Sequence, residues 1–205
     1  MRHLSHLKEY KLWEQSRELT SEQGEFLNQY VKGTWRINSE GLVDVEGDFD
    51  CSGRGIKSLM GIRFGSVGRN FYCHNNQLTS LEGAPQEVRV NFYCHSNQLT
   101  SLEGAPREVK GDFDCSYNQL TSLEEAPREV GGGFYCESNT ISDQTIELIC
   151  QKMMENPEMG YGAILASLQS RIPREDWEKL DKSSLDKMNQ TRKKVYGMLG
   201  GIGGI

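Results

Sequence analysis

The chain has 205 residues, 36% of them hydrophobic and 25% charged, with a formal net charge of −6 at pH 7. It carries no basic stripe of the kind that binding to a phosphate backbone requires. No apolar run reaches the ~18 residues of a membrane-crossing helix, and the polar start, with Arg2, His3, Lys8, Glu9 and Lys11, lacks the apolar core of a secretory signal. No nucleic acid and no membrane are therefore expected as partners, and a cytoplasmic location is.

Residues 1–44 read as an N-terminal cap. A short amphipathic helix is expected around Leu4, Leu7, Leu12 and Trp13, and a second from about Ser21 to Val31. Thr20 or Ser21 supplies the N-cap of that second helix, and Phe26, Leu27 and Tyr30 its apolar face. Trp35-Arg36-Ile37 and Leu42-Val43-Asp44-Val45 then read as strands around the turn Asn38-Ser39-Glu40-Gly41.

From 45 to 141 the chain repeats itself. Phe71, Phe92, Phe113 and Phe134 recur every 21 residues, each followed by a cysteine (Cys73, Cys94, Cys115, Cys136) and an asparagine (Asn76, Asn97, Asn118, Asn139). A valine precedes each phenylalanine by four positions (Val67, Val88, Val109, Val130). An earlier, degenerate copy places Val45, Phe49, Cys51, Ile56 and Leu59 in register, with Arg54 where the asparagine should be. A fixed period of this length marks a solenoid, here of about five turns. Alternation along each short strand turns Phe and Cys inward. The asparagines are expected to form a polar ladder inside the coil, and Leu78, Leu81 and their equivalents to fill the core. The segment back to the next valine is too short for a full helix. An extended or 3₁₀-like return is expected, with Pro85, Pro106 and Pro127 fixing φ on its convex side.

Beyond Ile141 the period becomes helical. Ser142 is an N-cap, and Ile146, Ile149, Cys150 and Met153 share one face. Further helices are expected over about Tyr161–Arg171, after Pro173, and from Ser183 or Ser184, before a Gly-Ile tail too glycine-rich to stay helical. Residues 142–205 thus read as a helical C-terminal cap.

The cysteines follow the repeat, not a pairing pattern. In-register parallel strands hold equivalent residues ~4.8 Å apart, which suits neither disulfide geometry nor the paired ligands of a zinc site. A reduced, buried cysteine ladder is expected, with no metal and no cofactor.

The unit F-x-C-x-x-N-x-L, with its T-S-L-E-x-A-P return, resembles the leucine-rich repeat family in its short bacterial and phage-like form. The resemblance covers about half the chain. It implies an α+β repeat fold, a leucine-rich-repeat solenoid with a parallel β-sheet between the two caps. In function it implies a non-enzymatic, intracellular, protein-binding module, of the type found in large tailed phages and directed at a host protein or associated with the virion. Some members carry a C-terminal ubiquitin ligase with a catalytic cysteine. Here the one cysteine outside the repeats, Cys150, sits in an apolar helical setting in a segment of only 64 residues, which speaks against that activity.

The outward strand positions carry the candidate contacts. Tyr72 stacks on Tyr93 and His74 on His95, and Asp114 and Tyr135 extend the row, with Asp50 and Glu137 adding charge. Aligned tyrosines offer amphipathic contact area at low entropic cost. Tyr72, Tyr93, His74, His95, Asp114 and Tyr135 are accordingly the expected partner-binding residues. Two alternatives stay open: a structural protein that self-associates through its helical end or Gly-Ile tail, and an enzyme with a pocket where the solenoid meets the C-terminal helices.

Overall fold

Each repeat folds into two very short strands joined by a bend, so the coil has two parallel sheets where the sequence suggested one. The structure is a computed structural model describing residues 18–142, Gln144 and Thr145. The expected helix around Leu4–Trp13 and the helices after Ser142 lie outside the described residues. Ser142 itself does accept the Thr145 amide through both its hydroxyl (3.2 Å) and its carbonyl (3.1 Å), as an N-cap should.

In chain order the elements are α1 (Ser21–Tyr30), β1 (Val31–Lys32), β2 (Trp35–Ile37), β3 (Val43–Val45), β4 (Asp48–Asp50), β5 (Phe64–Val67) and β6 (Phe71–Tyr72). They continue with β7 (Glu87–Val88), β8 (Phe92–Tyr93), β9 (Glu108–Val109), β10 (Phe113–Asp114), β11 (Glu129–Val130) and β12 (Phe134–Tyr135). The first sheet has the order β1-β4-β6-β8-β10-β12 and the second β11-β9-β7-β5-β3-β2. In the first, Phe49, Phe71, Phe92, Phe113 and Phe134 are direct partners. In the second, Val45, Val67, Val88, Val109 and Val130 are. Five parallel strands in each sheet make a β-solenoid of about four complete turns.

The core follows from this register. Five phenylalanine rings form a continuous stack with centroids 4.7, 5.2, 5.4 and 5.2 Å apart. Phe64 from the second sheet meets Phe49 and Phe71 edge-on at 4.9 and 5.4 Å. Cys51, Cys73, Cys94 and Cys115 and the leucine pairs Leu78/Leu81 and Leu99/Leu102 are wholly buried beside them. Each buried ring or leucine contributes roughly 1.5–3 kcal/mol before the entropy of ordering the chain is subtracted.

The return segment explains the T-S-L-E-x-A-P wording. Ser80, Ser101 and Ser122 each accept, through the hydroxyl, the amide two residues on (Glu82, Glu103 and Glu124), a local turn that competes with helix. Leu81 and Leu102 then face inward, and the Ala84 and Ala105 amides close single turns onto their carbonyls at 2.9 Å. Gly83 and Gly104 have φ of +86° and +83°, and a Cβ on Gly83 would sit 2.1 Å from the Ile62 carbonyl oxygen. Pro85, Pro106 and Pro127 are buried, not set on a convex outer surface. They stand just before the second-sheet strands, where a missing N–H leaves no rung unmade. Of the extended or 3₁₀-like return that was expected, the structure shows the extended form, with turns and a second sheet where an α+β repeat would carry a helical layer.

The N-terminal end is closed. β1 runs antiparallel to β4 (Val31 opposite Phe49), and β2 antiparallel to β3 (Trp35 opposite Val45). Both sheets thus begin on a reversed strand, which covers an edge otherwise open to pairing. Helix α1 opens on a capping box between Thr20 and Gln23. It lays Phe26 and Tyr30 against the end of the ring stack, 6.0 and 6.4 Å from Phe49.

Candidate functional site

Two polar ladders set the strand face at fixed spacing. In the inner one, Asn97 Nδ2 donates to the Cys73 carbonyl (3.0 Å), the Cys94 carbonyl (2.9 Å) and the His95 carbonyl (3.4 Å), and its Oδ1 accepts the Leu78 amide (3.0 Å). Asn76, Asn118 and Asn139 repeat this pattern. At the first turn, where Arg54 replaces the asparagine, Asn76 of the next turn accepts the Arg54 amide in addition to the regular Ile56 amide. These bonds satisfy backbone groups that burial would otherwise leave costly.

The second ladder was missed in reading the sequence. Asp48 Oδ1 accepts from the Asn70 amide and side chain at 3.0 and 2.8 Å. Asn70 Oδ1 accepts the Asn91 amide, Asn91 Oδ1 the Asp112 amide, and Asp112 Oδ1 the Gly133 amide. Each of these side chains, two positions ahead of an outward Asp or Tyr, spends an oxygen on the next turn. The signal was present as an Asp or Asn directly before Phe49, Phe71, Phe92 and Phe113.

Between the ladders lie two outward columns. One reads Asp50, Tyr72, Tyr93, Asp114, Tyr135 in direct register. The other reads Ser52, His74, His95, Ser116, Glu137. The structure brings Tyr72, Tyr93, His74 and His95 into one patch. The tyrosine rings are 5.4 Å apart and tilted by 45°, and the histidines stack at 4.5 Å and 20°. His74 also stands edge-on to Tyr72 at 5.9 Å. Asp114 borders Tyr93 in the same column, with Tyr135 on its far side. The Tyr135 ring lies along its strand over Gly133: a Cβ there would be 2.5 Å from the Tyr135 hydroxyl.

The electrostatics of this face are acidic. Burial, then Asp112, the Tyr72 ring and Asp114, push the Tyr93 phenol up to about 12. Tyr72 moves the same way through burial, Asp48 and Asp50. His74 is held below its usual range, first by burial and then by His95, against the pull of Asp50 and Asp114. Its Nδ1 is buried with no hydrogen-bond partner among the described residues, which suits a neutral ring. Partial burial opposes the charge of Asp50, but Lys32 and the hydroxyl and amide of Ser52 outweigh it and bring the carboxyl to about 2.

The cysteine column is built for packing. Burial, then Asp50, pushes the Cys51 thiol up to about 12, and burial raises Cys73, Cys94 and Cys115 well above the ordinary range. Cys51, Cys73, Cys94 and Cys115 are free thiols, and thiols so buried and so weakly acidic are poor nucleophiles and ligands. Among the described residues no group of three or more His, Cys, Asp or Glu side chains is disposed to hold a metal ion, and no helix is long and apolar enough to cross a membrane.

Comparisons of the chain with protein-family models, with curated proteins and with solved structures return no match.

Proposed function

We propose that the chain is a non-enzymatic, leucine-rich-repeat-type binding module that engages a protein partner through the outward face of its first sheet. The observation that carries this reading is the contiguous patch of Tyr72, Tyr93, His74 and His95, exposed in part on a rigid frame. Two half-buried tyrosines one rung apart present large, nearly pre-ordered contact surfaces, as the anchors of protein interfaces do. The two ladders hold them there, so little conformational entropy remains to be lost on association. Asp114 and Tyr135 extend the patch toward β12. Kinship with leucine-rich repeats is supported by the F-x-C-x-x-N-x-L unit and by an asparagine ladder bonded as such a unit requires.

The test compares the wild-type chain, Tyr72→Ala/Tyr93→Ala and Arg89→Ala as baits in the native cellular context, once all three are known to melt cooperatively. Arg89 is exposed beside the second sheet, where it pairs with Glu87 at 3.6 Å. A partner held by the wild type and by Arg89→Ala but lost by the tyrosine variant supports the reading. A partner held equally by all three moves the binding surface elsewhere.

A further inference from the structure

Two rungs of the tyrosine column are chemically the same. Residues 48–52 and 112–116 both read Asp-Phe-Asp-Cys-Ser. In the first, Ser52 donates to Asp50 Oδ1 from its hydroxyl (2.6 Å) and its amide (3.2 Å). In the second, Ser116 donates to Asp114 Oδ1 in the same way, at 2.5 and 2.9 Å. Each carboxylate is thus fixed in orientation with Oδ2 turned away from its serine.

The rungs differ in what meets Oδ2. At Asp50 the ammonium of Lys32, delivered by the reversed strand β1, sits 2.6 Å away. At Asp114 no cation of the described residues takes that place. The Asp114 rung is instead flanked in register by Tyr93 and Tyr135, with Glu137 one turn on. Aromatic faces beside a carboxylate attract a cation twice over, through the ring quadrupole and through the charge.

We infer that the Asp114 rung is a lysine-recognition slot, in which a side-chain ammonium from a peptide partner takes the place at Asp114 that Lys32 holds at Asp50. This deepens the strand-face reading and rests on it. Lysine is favoured over arginine for a geometric reason. Asp114 Oδ1 already accepts two hydrogen bonds, so one oxygen is left, which suits a compact ammonium. A guanidinium fork needs two. The negative field that also acts on Tyr93 comes from Asp112 and Asp114 together, and the solenoid as a whole is acidic, so the charge complementarity points to a basic segment.

The experiment titrates the isotope-labelled full chain with a blocked tri-lysine peptide at low salt, following backbone amide shifts by NMR. Tri-arginine and tri-acetyllysine peptides serve as controls. The slot predicts saturable shifts at Ser116, Asp114 and Tyr93, abolished by acetylation and about threefold weaker for arginine. Asp114→Asn keeps an acceptor for Ser116 while removing the charge, and should weaken lysine binding about tenfold. Lys32→Met should vacate the first rung and add a second set of shifts at Asp50, Ser52 and Tyr72. Shifts spread over the exposed glutamates and unchanged by Asp114→Asn would overturn the slot. So would acetylated peptide binding equally, or Lys32→Met gaining nothing at Asp50. Failure here is separable from failure of the wider reading. A natural partner lost on Tyr72→Ala/Tyr93→Ala but unmoved by Asp114→Asn leaves the face and removes the slot. Lysine binding at Asp114 with no tyrosine-dependent partner does the reverse.

Discussion

The two sheets are built by the same repeats yet treat their outer faces differently. On the second sheet the outward position is glutamate in three successive turns, with Glu87, Glu108 and Glu129 in direct register. Like charges one rung apart repel, and the face answers with Arg89 on Glu87 and Lys110 beside Glu108 and Glu129. That is one solution copied. On the first sheet the outward residues change between turns, and in the first four they change in pairs: Asp goes with Ser at 50/52 and 114/116 and Tyr with His at 72/74 and 93/95, while the last turn sets Tyr135 with Glu137. The contrast favours the first sheet as the proposed binding face and gives the charged second sheet no such role.

The core is uneven in the same sense, since the first sheet contributes a phenylalanine and a cysteine per turn and the second a valine. Phe113→Ala should cost about 3–5 kcal/mol, and Val109→Ala about 2 kcal/mol, in urea unfolding. Equal losses would mean that the ring stack is not the centre of stability. Asn97→Ala comes next, at about 3 kcal/mol, because it strips partners from the Leu78 amide and from several carbonyls at once. The matching change at Asn139, part-buried at the last turn, should cost less; a loss as large as that at Asn97 would show that ladder position is irrelevant.

Much of this architecture was legible because the repeat states it many times. Helix α1 with its Thr20 cap, the hairpin from Trp35 to Val45 and the inward Phe-Cys alternation could be read from single residues and their spacing. The second sheet could not, since a lone valine per turn carries no period-2 signal. Glu87-Val88 looked like part of a return because its partners lie a full turn away. Of the site, the tyrosine and histidine columns follow directly from register. The likeness of Asp50 and Asp114 is written in the sequence, but their difference is not, because it depends on Lys32 arriving on a strand that runs backwards.

The turn between the leucines and the second sheet offers effects of opposite sign. Gly83→Ala forces a Cβ onto the Ile62 carbonyl at positive φ and should destabilise by about 2 kcal/mol. The equivalent residue one turn before the end is not glycine but Glu125, at φ +62°. An L-residue there bears a cost of about 1–2 kcal/mol, partly offset by the chain entropy that glycine adds to the unfolded state. Glu125→Gly should therefore gain about 0.5–1 kcal/mol, seen as a raised urea midpoint at unchanged slope. A loss would mean that the Glu125 side chain contributes more than its backbone costs.

The smallest effect separates the two faces by pH, because the histidines among the described residues, His74 and His95, both lie on the first. His74 titrates in the folded chain below its unfolded value of about 6.5. As pH falls through 6.5 the unfolded chain takes up a proton that the native chain does not. Native stability must then decline with acidification, and it is fully present only above 6.5. Asp50, whose carboxyl is held at about 2, yields its contribution only between its ordinary 3.8 and that value, so the two windows do not overlap. Urea midpoints at pH 8 and pH 5.5 should differ in the wild type and converge in His74→Gln, which keeps bulk and polarity without a titrating ring. Parallel behaviour of the two proteins would mean that His74 protonates as freely in the fold as outside it. The ring would then be solvated rather than packed between Tyr72 and His95, and the aromatic patch would lose the rigidity that the proposed binding role requires.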